Sequence, residues 1–352
     1  MRTRWHTVGR VVLVLAGVLA VGPLGQAQQT RTWQLPPTPC SGASLSVTDT
    51  SVFVGLNTPD RDHWQVLRCR ADGTAEAVLK GAGHWGGLSV SPDGTQVLVQ
   101  LDQGECGRQI QWYDLSRGRP RLAGTYQGEA IRRYAWSKDG KRWLGLSSTS
   151  CGGARDELVV HSQGSKEARV KLPGSTFQRP AVEYWLSDDG SSTYTLLSDG
   201  GFYRDHKLLL RIPVGKNKCL RHHTSRMGNA LYALSGTNLY RVDARQGSVT
   251  KKSLAAQNPA LHLDVCDPRI LALGPDRVGL IAVGKPITSP QSMYVVSYPA
   301  LKVQRLTTLA KDATAACSAT GEGLAAGQGK TWMLWSDAER NHTVLKSLKP
   351  GE

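Results

Sequence analysis

The chain is short of acid. Its 352 residues carry 28 Asp and Glu against 43 Lys and Arg, a net charge of +15. A calcium- or zinc-dependent hydrolase wants convergent carboxylates, and few are on offer. Long apolar runs are also missing. The N-terminal run Val11–Gly22 has 12 residues, short of the ~20 that a membrane-spanning helix needs. No long amphipathic helical pattern occurs, which argues against a helical bundle. There is no Cys-x-x-Cys, so neither a zinc ribbon nor a thioredoxin-like site is indicated. No Gly-x-Ser-x-Gly elbow occurs, so a prolyl-oligopeptidase-type hydrolase domain is not indicated either. His-Glu-x-x-His, the P-loop and the calcium loop are absent. Ser187-Asp188-Asp189-Gly190 lacks the spacer that a sialidase Asp-box puts between Asp and Gly.

What is present is a recurring turn. Ser91-Pro92-Asp93-Gly94, Ser137-Lys138-Asp139-Gly140 and Ser187-Asp188-Asp189-Gly190 each sit between runs rich in β-branched and aromatic residues. Gly takes positive φ without steric cost, and Asp hydrogen-bonds its own local backbone, so the tetrapeptide closes a hairpin. The aspartates Asp93, Asp139 and Asp189 are spaced 46 and 50 residues apart. A period in the 40s, with several short strands per unit, is the signature of propeller blades. The fold class is therefore all-β: a β-propeller, with seven four-stranded blades as the leading count and six or eight as alternatives. Blade one is expected to place strands at Leu45–Val47, Val52–Leu56, Trp64–Cys69 and Glu76–Leu79. Blade five is expected to turn at Ser225–Gly228, blade six at Gly274–Arg277 and blade seven at Ser318–Gly321. In blade seven, strands are expected to follow at Gly323–Ala326, Thr331–Trp335 and Thr343–Leu348.

The three clear copies resemble the Ser-Pro-Asp-Gly repeats of TolB-like and related WD-type β-propellers, over about residues 85–200. The resemblance implies a propeller. It does not imply one activity, because propellers host binding, scaffolding and catalysis alike.

Residues 1–27 read as a secretory signal peptide: a head with Arg2, Arg4 and Arg10, the apolar run, then small residues at Gly25-Gln26-Ala27. Residues 28–43 form an N-terminal leader in which Thr32–Leu35 is a candidate closure strand. Residues 44–352 form one propeller domain. Cleavage leaves 325 residues and a charge of +12. The expected location is secreted or periplasmic, with no transmembrane segment after cleavage, and the expected state is a monomer.

Seven cysteines in an exported chain suggest disulfides with one thiol left over. Cys106 and Cys151 fall at equivalent loops of neighbouring blades and are expected to pair. Cys219 and Cys266 each precede an inner strand and are expected to pair. Any two of Cys40, Cys69 and Cys317 could join.

Propeller ligands gather where the inner strands begin. Those positions hold His84, Trp85, Arg132, Arg133, Arg179, Arg221, His222 and His262. This mouth is basic and aromatic, suited to carboxylate or phosphate groups. The adjacent His222 and His223 would point to opposite faces of a strand, so no metal site is expected, and no cofactor. The leading functional reading is an exported, non-catalytic propeller. It would bind a protein or an anionic envelope polymer through the basic mouth. The alternative is an exported propeller hydrolase or lyase acting on an acidic sugar or lactone. A third reading is a purely structural module. No nucleic-acid module is present, and export argues against that partner.

Overall fold

A computed structural model describes residues 32–35, 43–58, 62–70, 72–104, 107–131, 135–147, 157–162, 166–172, 179–213, 224–259, 261–262, 269–274, 276–284, 291–308, 324–327, 330–337 and 342–348. The chain divides into Met1–Thr30 and Arg31–Glu352. All described residues belong to the second unit, which is almost entirely β.

The described chain opens with β1 (Thr32–Leu35). The first sheet follows, with β2 (Ser44–Val47), β3 (Val52–Asn57), β4 (His63–Cys69) and β5 (Ala75–Ala82). The second holds β6 (His84–Val90), β7 (Gln96–Gln103), β8 (Gly107–Asp114) and β9 (Arg121–Gln127). The third holds β10 (Glu129–Ala130), β11 (Arg142–Ser147), β12 (Glu157–Ser162) and β13 (Ala168–Lys171). The fourth holds β14 (Ala181–Leu186), β15 (Thr193–Leu197), β16 (Gly201–Arg204) and β17 (Lys207–Arg211). The fifth holds β18 (Thr224–Met227), β19 (Ala230–Ser235), β20 (Asn238–Asp243) and β21 (Ser248–Ser253). A single helical turn, α1 (Leu254–Gln257), precedes the sixth sheet. That sheet holds β22 (Leu261–His262), β23 (Arg269–Gly274), β24 (Arg277–Gly284), β25 (Gln291–Ser297) and β26 (Lys302–Thr308). The last holds β27 (Leu324–Gly327), β28 (Lys330–Asp337) and β29 (His342–Leu348), with β1 added to its edge. Strand pairing is antiparallel throughout, and seven sheets are compatible with a seven-bladed propeller.

The three clear turns share one bonding scheme. The Ser hydroxyl donates to the Asp carboxylate at 2.6 Å in Ser91–Asp93, 2.7 Å in Ser137–Asp139 and 2.5 Å in Ser187–Asp189. It also accepts from the N–H of the first residue of the next strand or its neighbour: Gln96, Arg142 and Ser192. The Asp accepts from the N–H two residues on, in Thr95, Lys141 and Ser191. Gly94, Gly140 and Gly190 close each turn at φ +75°, +69° and +67°, where a side chain would be strained.

Three details differ from the sequence reading. In the fifth sheet, Ser225–Met227 lie within the innermost strand, and the turn is Gly228–Asn229. The sixth sheet has five strands, because two short strands share one edge of β24. In the last sheet, β27 is the innermost strand rather than the second. The turn expected at Ser318–Gly321 lies outside the described residues. The last sheet takes its fourth strand from the other end of the chain: Thr32–Leu35 pairs with Thr343–Lys346 of β29.

Core packing runs between sheets rather than within one. One buried cluster joins Trp64, Val66 and Leu79 of the first sheet to Trp85, Val97 and Val99 of the second. The indoles of Trp64 and Trp85 lie 5.8 Å apart. Trp85 fits because residue 55 is glycine; a β-carbon there would collide with its ring. Other clusters join sheets two to three, three to four, four to five and five to six. The cluster of the seam joins Trp33, Leu35, Trp332 and Leu345 to Leu45, Val54 and Cys69. Cys69 is a free, buried thiol, and burial pushes it up to about 12. Cys40 and Cys317, its two candidate partners, lie outside the described residues.

Candidate functional site

The innermost strands converge on a cavity of about 350 Å³ at the end where the Ser-x-Asp-Gly turns lie. Its walls are the buried Leu45, Val90, Trp136 and Ala272, from four different sheets. Its rim carries Asp49, Pro92, Lys138 and Asp188. Pro92, Lys138 and Asp188 are the second residues of the three clear turns. Asp49 is the second residue of Thr48-Asp49-Thr50-Ser51. There Thr48 plays the serine's part: its hydroxyl accepts from Ser51 N–H at 3.0 Å. Within each turn the first and third side chains bond to the turn itself, and the second lines the cavity.

The rim is knitted between blades. Lys138 N–H donates to Asp188 O at 3.1 Å, and Asp49 N–H donates to Pro92 O at 3.4 Å. Arg142 reaches Gly190 O at 2.8 Å. Arg226 completes the rim from β18. It donates to Leu186 O at 3.1 Å and lies over Trp185, 5.4 Å from the ring. The cavity thus offers an apolar wall with two acids and two bases above it. Asp49, Lys138, Asp188 and Arg226 were not singled out in the sequence as site residues. For Lys138 and Asp188 the signal was there, in the one variable position of the Ser-x-Asp-Gly turn.

Most other aspartates at this end are engaged in turns. Asp72, Asp114, Asp205 and Asp243 accept from Thr74, Ser116, Thr193 and Arg245 respectively. Among the described residues, no group of three or more His, Cys, Asp or Glu side chains converges as metal ligands.

The described basic-mouth residues, His84, Trp85, Arg179 and His262, lie at the opposite ends of the inner strands. His84 is exposed at the start of β6. Trp85 is buried, 6% exposed, with its Nε1 3.4 Å from Ser44 Oγ. Arg179 is drawn to Asp199, Nε to Oδ2 2.6 Å, and donates to Tyr203 Oη at 3.0 Å. Burial works against its charge, but Asp199 and Tyr203 outweigh this and hold it more firmly protonated. Arg211 binds the same carboxylate oxygen at 2.7 Å. His262 pairs through its backbone with Val283. Arg132, Arg133, Arg221 and His222 lie outside the described residues, as do Cys106, Cys151, Cys219 and Cys266.

No protein-family model matches the chain, and no curated protein matches it by sequence. Solved structures match its fold. A structure from a study of two prolyl endopeptidases aligns at a TM-score of 0.59 and 14% identity, over 91% of this chain and 48% of that one. This chain therefore spans about half the length of that protein. The β-propeller domain of the trilobed protease from Pyrococcus furiosus, described as having an open velcro topology, aligns at 0.57 and 12% identity. That match covers 89% of this chain and 97% of the other. TolB from Acinetobacter baumannii aligns at only 0.42, with 14% identity, over 86% and 65%, too distant to argue from. The fold is a β-propeller. At these identities the likeness extends no further than the fold.

Proposed function

We propose that this protein is an exported, non-catalytic β-propeller that binds a protein partner in the axial cavity at the turn end. One observation carries the reading: the second residues of four successive turns, Asp49, Pro92, Lys138 and Asp188, converge on a single cavity. Their neighbours in each turn are committed to hairpin bonds, so these positions vary without cost to the fold. Both signs of charge over an apolar wall suit a segment of polypeptide, which carries both signs and apolar groups, better than a uniform polyanion.

The test is a peptide-display selection on the mature protein, repeated with Lys138→Glu combined with Asp188→Lys. Both side chains are at least partly exposed, so the variant keeps the fold. Selected peptides should bind the variant at least about tenfold more weakly, the effect of ~1.4 kcal/mol. Equal binding by a folded variant removes the cavity as the site.

The second reading places an anionic envelope polymer at the basic mouth. The chain's charge of +15 favours it, as does the exposed His84.

A further inference from the structure

One outer strand presents an edge unlike the rest. An edge strand exposes unpaired N–H and C=O groups, and folds blunt such edges by keeping them short or by bulging them. In four sheets the outermost strand, β5, β9, β17 or β26, slips in register against its neighbour. In two others it is four residues long: β13 and β1. β21 has neither feature. Its six residues pair with β20 in unbroken register, from Asn238–Ser253 to Asp243–Ser248. Among the described residues, no strand pairs with it from the other side.

The parity of this ladder sets which groups point outward. Leu254 N–H donates to Thr237 O at 2.9 Å, one step past the last pair. Bonded and unbonded pairs alternate along an antiparallel ladder. Asn238–Ser253, Tyr240–Lys251 and Val242–Val249 are therefore the unbonded pairs. The backbone N–H and C=O of Val249 and Lys251 face away from β20.

The side chains decide what such an edge accepts. Val249 is 44% exposed, Lys251 is exposed and Lys252 is half-buried. The arginines of the outer strands β9, β13 and β17 each meet a carboxylate: Arg121 with Asp114, Arg169 with Glu157 and Arg211 with Asp199. Lys251 and Lys252 meet none among the described residues, and neither does Arg245 in the turn before them. A second copy of β21 would set lysine against lysine, and like charges opposed across a ladder destabilise it. A strand bearing Asp or Glu would find a cation at the same positions.

We infer that the β21 edge is a docking site for an extended acidic segment of a partner polypeptide, which joins the fifth sheet as an added strand. Main-chain bonds to Val249 and Lys251 hold the segment, and Arg245, Lys251 and Lys252 select its charge.

The probe is a soluble peptide of alternating Glu and Val, added to the mature protein. Amide exchange reads Val249 and Lys251, whose N–H groups are open to water in the free protein. Their protection should rise at least about tenfold at saturating peptide, the scale of one hydrogen bond. The same peptide with every backbone nitrogen methylated should give no rise. Lys251→Glu combined with Lys252→Glu should lose the rise with this peptide and regain it with a peptide of alternating Lys and Val. Two amides that gain no protection in the wild-type protein overturn the site. So does equal protection by the methylated peptide, which would reduce the edge to generic charge. Protection by phosphatidylserine vesicles in place of the peptide would also overturn it and assign the surface to a lipid bilayer. These three outcomes are read from the wild-type protein, whether or not the variant folds.

Discussion

Asp189 shows how much of this protein is settled within five residues. Its carboxyl is held down from 3.8 to about 2, first by the Ser187 hydroxyl, then by the N–H and hydroxyl of Ser191. Asp139 is lowered first by Ser137 in the same way. At Asp93 burial pushes upward, but Ser91 and Thr95 outweigh it, and the carboxyl is again lowered. A carboxyl depressed on folding stabilises above its unfolded value, and the gain is lost as pH falls through the folded value. For Asp189 that window runs from about 4 to about 2. The thermal midpoint of the wild-type protein should therefore drop across this window. Asp189→Asn should begin lower at neutral pH and drop less steeply in acid. Parallel acid profiles would mean that the turn bonds contribute nothing to stability. All three turns could be read from the sequence, because every partner lies within five positions. The same cannot be said of the Ser225–Gly228 assignment. There no aspartate follows the serine, and Ser225 instead bonds across to the next sheet, its Oγ accepting from Ala272 N–H at 2.8 Å.

At the scale of elements, β1 carries the ring's seam. Its four residues pair with β29. Trp33 and Leu35 are buried there, and the Trp33 ring lies 5.4 Å from Trp332. Burying two such side chains is worth about 3–6 kcal/mol, an upper bound because the unfolded chain already hides some surface. A chain beginning after Leu35 should lose stability of this order. It should also self-associate, because β29 would present an unpaired edge. Urea unfolding and light scattering of the two lengths check this; matching midpoints and a monomeric short form would show that β1 is dispensable. The strand itself is legible in Thr32-Trp33-Gln34-Leu35. Its partner lies about 310 residues away in the chain, a distance at which local pattern carries no pairing information.

At the scale of the whole molecule, the two ends of the inner strands differ in chemistry. The turn end combines acids and bases over an apolar wall, and its aspartates are largely engaged in turns. The start of the inner strands carries His84, Arg179 and, in sequence, Arg132, Arg133 and Arg221. If this second end takes an anionic polymer, Arg132→Ala, Arg133→Ala and Arg221→Ala together should weaken polyphosphate or acidic-glycan binding and leave peptide binding at the turn end unchanged. Binding that survives ~0.15 M salt, where exposed charges are screened beyond ~8 Å, points to a shaped site. Binding that vanishes at that salt, or that the triple variant retains, reduces the basic mouth to generic charge.

The sequence by itself determined the fold class, the three sharp turns and the four strands of the first sheet to within a few residues. It could do so because turn chemistry and strand alternation act between near neighbours. The tertiary structure alone decided that Asp49, Pro92, Lys138 and Asp188 share one cavity. It alone drew Arg179 to Asp199 and buried Trp85 over Gly55. Each of these depends on which sheet lies beside which and how far a side chain reaches across the gap. Those distances are set only when the ring closes.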